Sequence, residues 1–160
     1  MIKRGLNRIR VLVKNTYYSI FIKDLRIGKN FNHRKGLIIN CKKYAKLKIG
    51  NNVFLNNYCT INVHKKVIIG DDCIFGEGVK IYDHNHRFSD KKSLIREQGY
   101  NCKNIVIGNN CWIGSNVILL SGTIIGDNTI IGAGCIISSE IPSDSIVRNI
   151  NNYTYEKRRE

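Results

Sequence analysis

Residues 107–142 read IGNNCW, IGSNVI, LLSGTI, IGDNTI, IGAGCI and ISSEIP, six hexads in one register. The first position holds Ile107, Ile113, Leu119, Ile125, Ile131 and Ile137, aliphatic throughout, and the second is Gly in four of six. The fifth holds Cys111, Val117, Thr123, Thr129, Cys135 and Ile141, all small or β-branched. A period of six matches neither the 3.6 of a helix nor the two of a half-buried strand. It fits a short strand followed by a tight turn, three such units closing a triangular coil of 18 residues, and stacked coils form three flat parallel sheets. The aliphatic residue points into the prism, and Gly, Asn or Asp stands where the turn needs unusual dihedrals.

The register continues upstream through Ile49, Leu55, Ile61, then Ile69, Phe75 and Ile81. It breaks in two places. Between Ile61 and Ile69 lie two residues too many, which predicts a widened corner. Between Ile81 and Ile107 the period is lost, so residues 83–104 are read as a loop extruded from the prism. Long excursions from a rigid scaffold tend to carry function. Residues 25–48 are read as an irregular first coil at best.

Charge divides the chain unevenly. Residues 1–48 carry 14 Lys and Arg against the single acid Asp24, whereas residues 49–160 are nearly balanced. Ile2, Leu6, Ile9, Val13, Tyr17 and Ile20 are spaced as one face of a helix, with Lys3, Arg4, Arg8, Arg10 and Lys14 on the others. The reading is a basic amphipathic segment over residues 1–24, a β-helix over 25–142 and a C-terminal tail over 143–160. The start of the chain lacks the apolar core and small-residue site of a signal peptide, and no apolar run approaches the ~20 residues of a membrane span. A basic head suits an anionic surface, either nucleic acid or lipid headgroups. No helix-turn-helix, RRM or zinc-finger pattern supports nucleic acid, so none is expected as a partner. The alternative is membrane contact at the inner face of the cytoplasmic membrane, or packing of the segment against the prism. Among the six cysteines, Cys59, Cys73, Cys111 and Cys135 fall on the recurring small position, which predicts buried free thiols and a reducing, cytoplasmic setting.

Two of the four histidines lie in DHNH, residues 83–86, where the loop opens. His64 and His84 each follow an aliphatic landmark by three residues, one coil apart, and so are placed to stack. His86 lies further out, at the mouth of the loop. An unperturbed imidazole titrates near pH ~6.5, which suits a general base, and Asp83 or Asn85 is placed to orient it.

The run NIVIGNNCWIGSNVILLSGTIIGDNTIIGAGCIISSEIP, residues 104–142, resembles the signature of the hexapeptide acyltransferases, and within them the maltose/galactoside O-acetyltransferase branch. The resemblance covers about residues 49–142. To the all-β fold read from the period and the short N-terminal helix read from the spacing of Ile2 to Ile20, it adds what the resemblance implies: left-handed coiling, acetyl-CoA as co-substrate, and a homotrimer whose sites lie between prisms. It assigns the catalytic base to His86 and acceptor binding to Asn56, with His84 and Trp112 beside it. It assigns the lining of the CoA site to Trp112, Gly114, Ser115, Ala133, Ser138 and Ser139. The DHNH form is similar to acetyltransferases of surface-polysaccharide assembly, which points to nucleotide-linked or lipid-linked sugars. The function so implied is O-acetylation of a sugar hydroxyl in cell-surface glycan synthesis. Alternatives are N-acetylation of an amino sugar on the same scaffold and a zinc site like that of γ-type carbonic anhydrases, built on His64, His84 and His86. No metal is expected on the leading reading.

Overall fold

The structure, a computed structural model, describes residues 24–150 together with Val13 and Tyr18. It is a parallel β-solenoid of about six coils, consistent with left-handed winding. The first face stacks Leu25–Ile27, Lys46–Ile49, Lys66–Ile69, Ile105–Ile107, Ile124–Ile125 and Glu140–Ile141. The second stacks Asn32–His33, Phe54–Leu55, Ile74–Phe75, Trp112–Ile113, Ile130–Ile131 and Ile146–Val147. The third stacks Ile38–Cys41, Thr60–Val63, Lys80–Tyr82, Ile118–Leu119 and Ile136–Ile137.

Every aliphatic landmark of the register is buried, from Ile49 to Ile137. Burial of a side chain of this size contributes about 1.5–3 kcal/mol, so the column of landmarks is the main source of cohesion. The fifth position is buried too from Cys59 to Cys135, and there its chemistry matters. Cys73 Sγ donates to the Gly108 carbonyl at 3.1 Å, Cys111 Sγ to the Gly126 carbonyl at 3.2 Å, and Thr123 Oγ1 to the Ile137 carbonyl at 2.8 Å. The two thiols thus give the Gly108 and Gly126 carbonyls a donor from the preceding coil, and the Thr123 hydroxyl adds a second donor to the Ile137 carbonyl, which also accepts the Leu120 amide at 2.8 Å. The cysteines are free, as the register predicts. Burial pushes the Cys59 and Cys135 thiols up, which keeps them protonated and inert.

The turn residues divide their work differently from the expectation. Left-handed backbone falls on the fourth position, at Asn110 (φ 52°), Asn116 (φ 57°) and Asn128 (φ 55°). Glycine at the second position answers a different need: a Cβ on Gly114 would stand 2.6 Å from the amide nitrogen of Ala133 on the next coil. The coils stack too closely there for any side chain. Where the first face turns into the second, the fourth-position side chains form a ladder. Asn110 Nδ2 donates to Asn128 Oδ1 at 3.0 Å, and Asn128 Nδ2 to Asp144 Oδ1 at 3.0 Å.

The solenoid runs further than the register marks at either end. Residues 25–48 form a regular coil, Leu25 pairing with Leu47 and Ile39 with Ile61. Its weak sequence signal reflects a widened corner after Cys41 that breaks the period of six without breaking the sheet. At the other end Ile146–Val147 still pairs with Ile130–Ile131. The coil period is 18 only where the hexads are unbroken, as in Val106 with Ile124. Of the N-terminal segment, Val13 and Tyr18 are helical, and the Tyr18 hydroxyl donates to the Leu37 carbonyl at 3.1 Å. The rest of residues 1–23, and residues 151–160 of the tail, lie outside the described residues. No helix among the described residues is long and apolar enough to cross a membrane.

Candidate active site

The extruded loop leaves the prism at the corner between the third and first faces. It is not irregular at its base: His84–His86 pairs antiparallel with Tyr100–Cys102, so His84 faces Cys102, Asn85 faces Asn101 and His86 faces Tyr100. Beyond this ribbon Asp90 and Gln98 fasten the tip, Gln98 Nε2 donating to the Asp90 carbonyl at 2.8 Å and Asp90 N to Gln98 Oε1 at 3.1 Å. Phe88, Leu94 and Ile95 stand exposed there.

Asp83 lies under the ribbon, wholly buried. Its carboxylate accepts the backbone amides of His64 (2.8 Å), Lys65 (2.7 Å) and Lys66 (2.8 Å). These are the amides of the widened corner that the two-residue slip predicts. The same carboxylate meets His84 Nδ1 at 3.1 Å. Strand alternation puts His84 and His86 on one side of the ribbon and Asn85 on the other. Asp83 and Asn85 therefore do not orient His86: the carboxylate is committed to the corner and to His84, and Asn85 faces away. The pairing was hidden from sequence because orientation at a register break depends on which corner amides need an acceptor.

His64 and His84 stack as their spacing predicts, with centroids 3.4 Å apart and planes 5° from parallel. Burial, then the neighbouring His84 and Lys42, holds the His64 imidazole down to about 4. Two parallel rings at this spacing cannot both aim a lone pair at one ion, since an imidazole binds metal in its own plane. The three-histidine zinc reading fails on this geometry, and no metal-binding group of three is present among the described residues. His86 is exposed, and its ring packs on Tyr100 with centroids 4.5 Å apart. Tyr100 is the site residue that sequence reading missed. It also meets His64 edge-on at 4.5 Å and His84 at 5.4 Å, and Lys42 Nζ lies 4.2 Å from its ring centre. Nothing local marks it, because it comes 14 residues after His86 and is returned by the ribbon.

The remaining positions fall elsewhere. Trp112 lies on the second face with its side chain outward, half exposed. Gly114, Ser115 and Ala133 follow at the corner between the second and third faces, and Asn56 occupies that corner two coils below, its Oδ1 accepting the Asn57 amide at 2.8 Å. Ser138 and Ser139 stand at the same corner as the loop, on the last full coil. One prism therefore carries the assigned residues as two groups on separate edges.

A parallel solenoid built on such a register defines a hexapeptide-repeat β-helix protein. Residues 104–139 match the family described as bacterial transferase hexapeptide (six repeats). Among solved structures, the chain is similar to a maltose O-acetyltransferase from Clostridium difficile 630, at 30% identity over 78% of this chain and 65% of that one, with a TM-score of 0.64. A galactoside acetyltransferase in complex with coenzyme A is 28% identical over 79% of this chain and 73% of that one, with a TM-score of 0.58. A mutant form of AntD, an N-acyltransferase from Bacillus cereus, in complex with dTDP and coenzyme A, shares the fold at 16% identity over 82% of this chain and 74% of that one, with a TM-score of 0.68. The structural neighbours are thus acetyl- and acyltransferases, of both hydroxyl and amine acceptors.

Proposed function

We propose that this chain transfers an acetyl group from acetyl-CoA to a sugar hydroxyl, with His86 as general base. The observation that carries the reading is His86 itself: an exposed imidazole held on a two-stranded ribbon at the edge of a rigid β-helix, in the fold of CoA-dependent acetyltransferases. The base takes the proton of the acceptor hydroxyl as its oxygen attacks the thioester carbonyl. The C–S bond then breaks, and the CoA thiolate leaves and takes up that proton. Trp112, Gly114, Ser115, Ala133, Ser138 and Ser139 line the CoA path, and Asn56 binds the acceptor.

The two groups of residues come together by assembly. A homotrimer sets the loop edge of one prism against the Trp112 edge of the next. Two features support it. The outward positions of the second face align Phe54, Ile74, Trp112, Ile130 and Ile146 in one apolar stripe, and Phe88, Leu94 and Ile95 leave an apolar loop tip exposed. Contiguous apolar surface of this kind marks an interface.

The acceptor is proposed as a nucleotide-linked or lipid-linked sugar of a cell-surface glycan, and the setting as cytoplasmic. Membrane contact is proposed through residues 1–24, from the spacing of Ile2 to Ile20 and the basic residues between them, and Arg26, Lys46, Lys48 and Lys66, which line a groove of about 390 Å³ on the first face together with Asp24, would extend that basic surface. Basic residues near an anionic surface add about 1 kcal/mol each. The test of function is thiol release from acetyl-CoA over a panel of free, nucleotide-linked and lipid-linked sugars, with amino sugars included. Release with a hydroxyl acceptor is expected. Release with amino sugars alone would replace O- by N-acetylation, and release with none would overturn the reading.

A further inference from the structure

We propose that Tyr100 is the positioning residue of the His86 imidazole, fixing its orientation from across the loop ribbon. The inference rests on His86 as the base and concerns what holds it. A base that is free to rotate loses much of its advantage, because misplacement by about 1 Å can cost 10²-fold in rate. The groups adjacent in sequence do not hold it, since Asp83 is spent on three amides and His84, and Asn85 faces the other way.

Tyr100 is placed to do so. It is the direct cross-strand partner of His86, where side chains on one face of an antiparallel pair meet most closely. Its ring lies at 4.5 Å and 43° from the imidazole, near enough to limit rotation about both side-chain bonds. The ring is itself fixed. Lys42 Nζ stands 4.2 Å from its centre, and the His64–His84 stack meets it nearly at right angles, at 85° and 81°. Lys42 and His64 come from corners of successive coils, and His84 from the base of the ribbon, where its Nδ1 meets the buried Asp83 carboxylate at 3.1 Å. Tyr100 thus transmits the stiffness of the solenoid to a base on an exposed ribbon.

The experiment compares wild type, Tyr100→Phe, Tyr100→Leu, His86→Ala and the double variant Tyr100→Leu/His86→Ala, with melting point and assembly mass recorded for each. The imidazole proton resonances, with the His86 signal assigned by its loss in His86→Ala, need no substrate. A ring-current shift is expected in wild type and Tyr100→Phe and is absent in Tyr100→Leu. With acetyl-CoA and the fastest acceptor of the sugar panel, Tyr100→Leu loses about tenfold in kcat with the KM for acetyl-CoA unchanged. Tyr100→Phe stays within twofold, and Tyr100→Leu has no further effect on the His86→Ala background. The proposal is overturned if Tyr100→Leu keeps kcat within twofold while His86→Ala abolishes it, or if the tenfold loss persists in the double variant. Full turnover by His86→Ala would instead overturn the base assignment, and with it the positioning role, even where the ring-current shift is seen.

Discussion

His64 lies flat on His84, with ring centroids 3.4 Å apart. The pair is half-buried against the loop, and its first consequence is a pH dependence of stability. Burial and the neighbouring charges hold His64 down to about 4, whereas an unfolded imidazole takes its proton near 6.5. The unfolded chain binds the extra proton first, so the stabilisation is fully present above pH 6.5 and falls as the pH drops toward 4. The melting temperature is expected to decline across that window. His64→Phe, which keeps a stacking ring and removes the titration, should flatten the decline by about one proton's worth of slope. An unchanged slope in His64→Phe would assign the acid sensitivity to other groups.

Asp83 should behave as a structural residue. Its carboxylate satisfies three amides of the widened corner. A buried donor left without a partner costs about 1–3 kcal/mol, so Asp83→Ala should lose more than about 3 kcal/mol by denaturant titration. Loss of activity in this variant should follow loss of folded protein. A fully stable but inactive Asp83→Ala would argue for a direct role in catalysis.

The two histidines of the ribbon should separate cleanly. His86→Ala is expected to lower turnover by about 10²–10⁴ with acetyl-CoA binding little changed. His84→Ala removes a stacking partner and a contact to Asp83, so its main effect should be on melting temperature. If turnover collapses in a folded His84→Ala protein and survives in His86→Ala, the base is His84.

The asparagine ladder offers a measure of coil-to-coil cohesion. Asn128 sits at φ 55° and bridges Asn110 to Asp144. Asn128→Ala places a Cβ residue in left-handed backbone and removes both bonds, for a predicted loss of about 1–2 kcal/mol. Asn128→Gly relieves the backbone term and should cost less. Equal losses in the two variants would assign the effect to the ladder alone.

Assembly is tested by light scattering. A mass near three times 18.3 kDa is expected, and Trp112→Glu, in the middle of the apolar stripe, should lower it. A monomeric wild type that remains active would remove the interchain site.

The solenoid was legible in the sequence because it repeats. Each hexad buries one aliphatic residue and turns one corner, so the same local demand recurs and six copies make it unmistakable. The extruded loop was legible as the place where that demand stops, and the His64–His84 stack as two equal offsets from neighbouring landmarks. Residues 25–48 were not, because a widened corner shifts the period while sheet pairing between coils continues undisturbed. The site was only half legible. His86 was marked by its place at the mouth of the loop, but its neighbours depend on contacts between distant segments. Asp83 turns to the corner amides because three donors there outweigh one imidazole. Tyr100 reaches His86 because the ribbon folds back after 14 residues. The separation of Trp112 and Asn56 from the loop edge follows from the closing of each coil into a triangle. Local repetition can therefore be read along the chain, whereas what stands beside His86 is decided by backbone hydrogen bonding across coils and across the ribbon, which no single stretch of sequence contains.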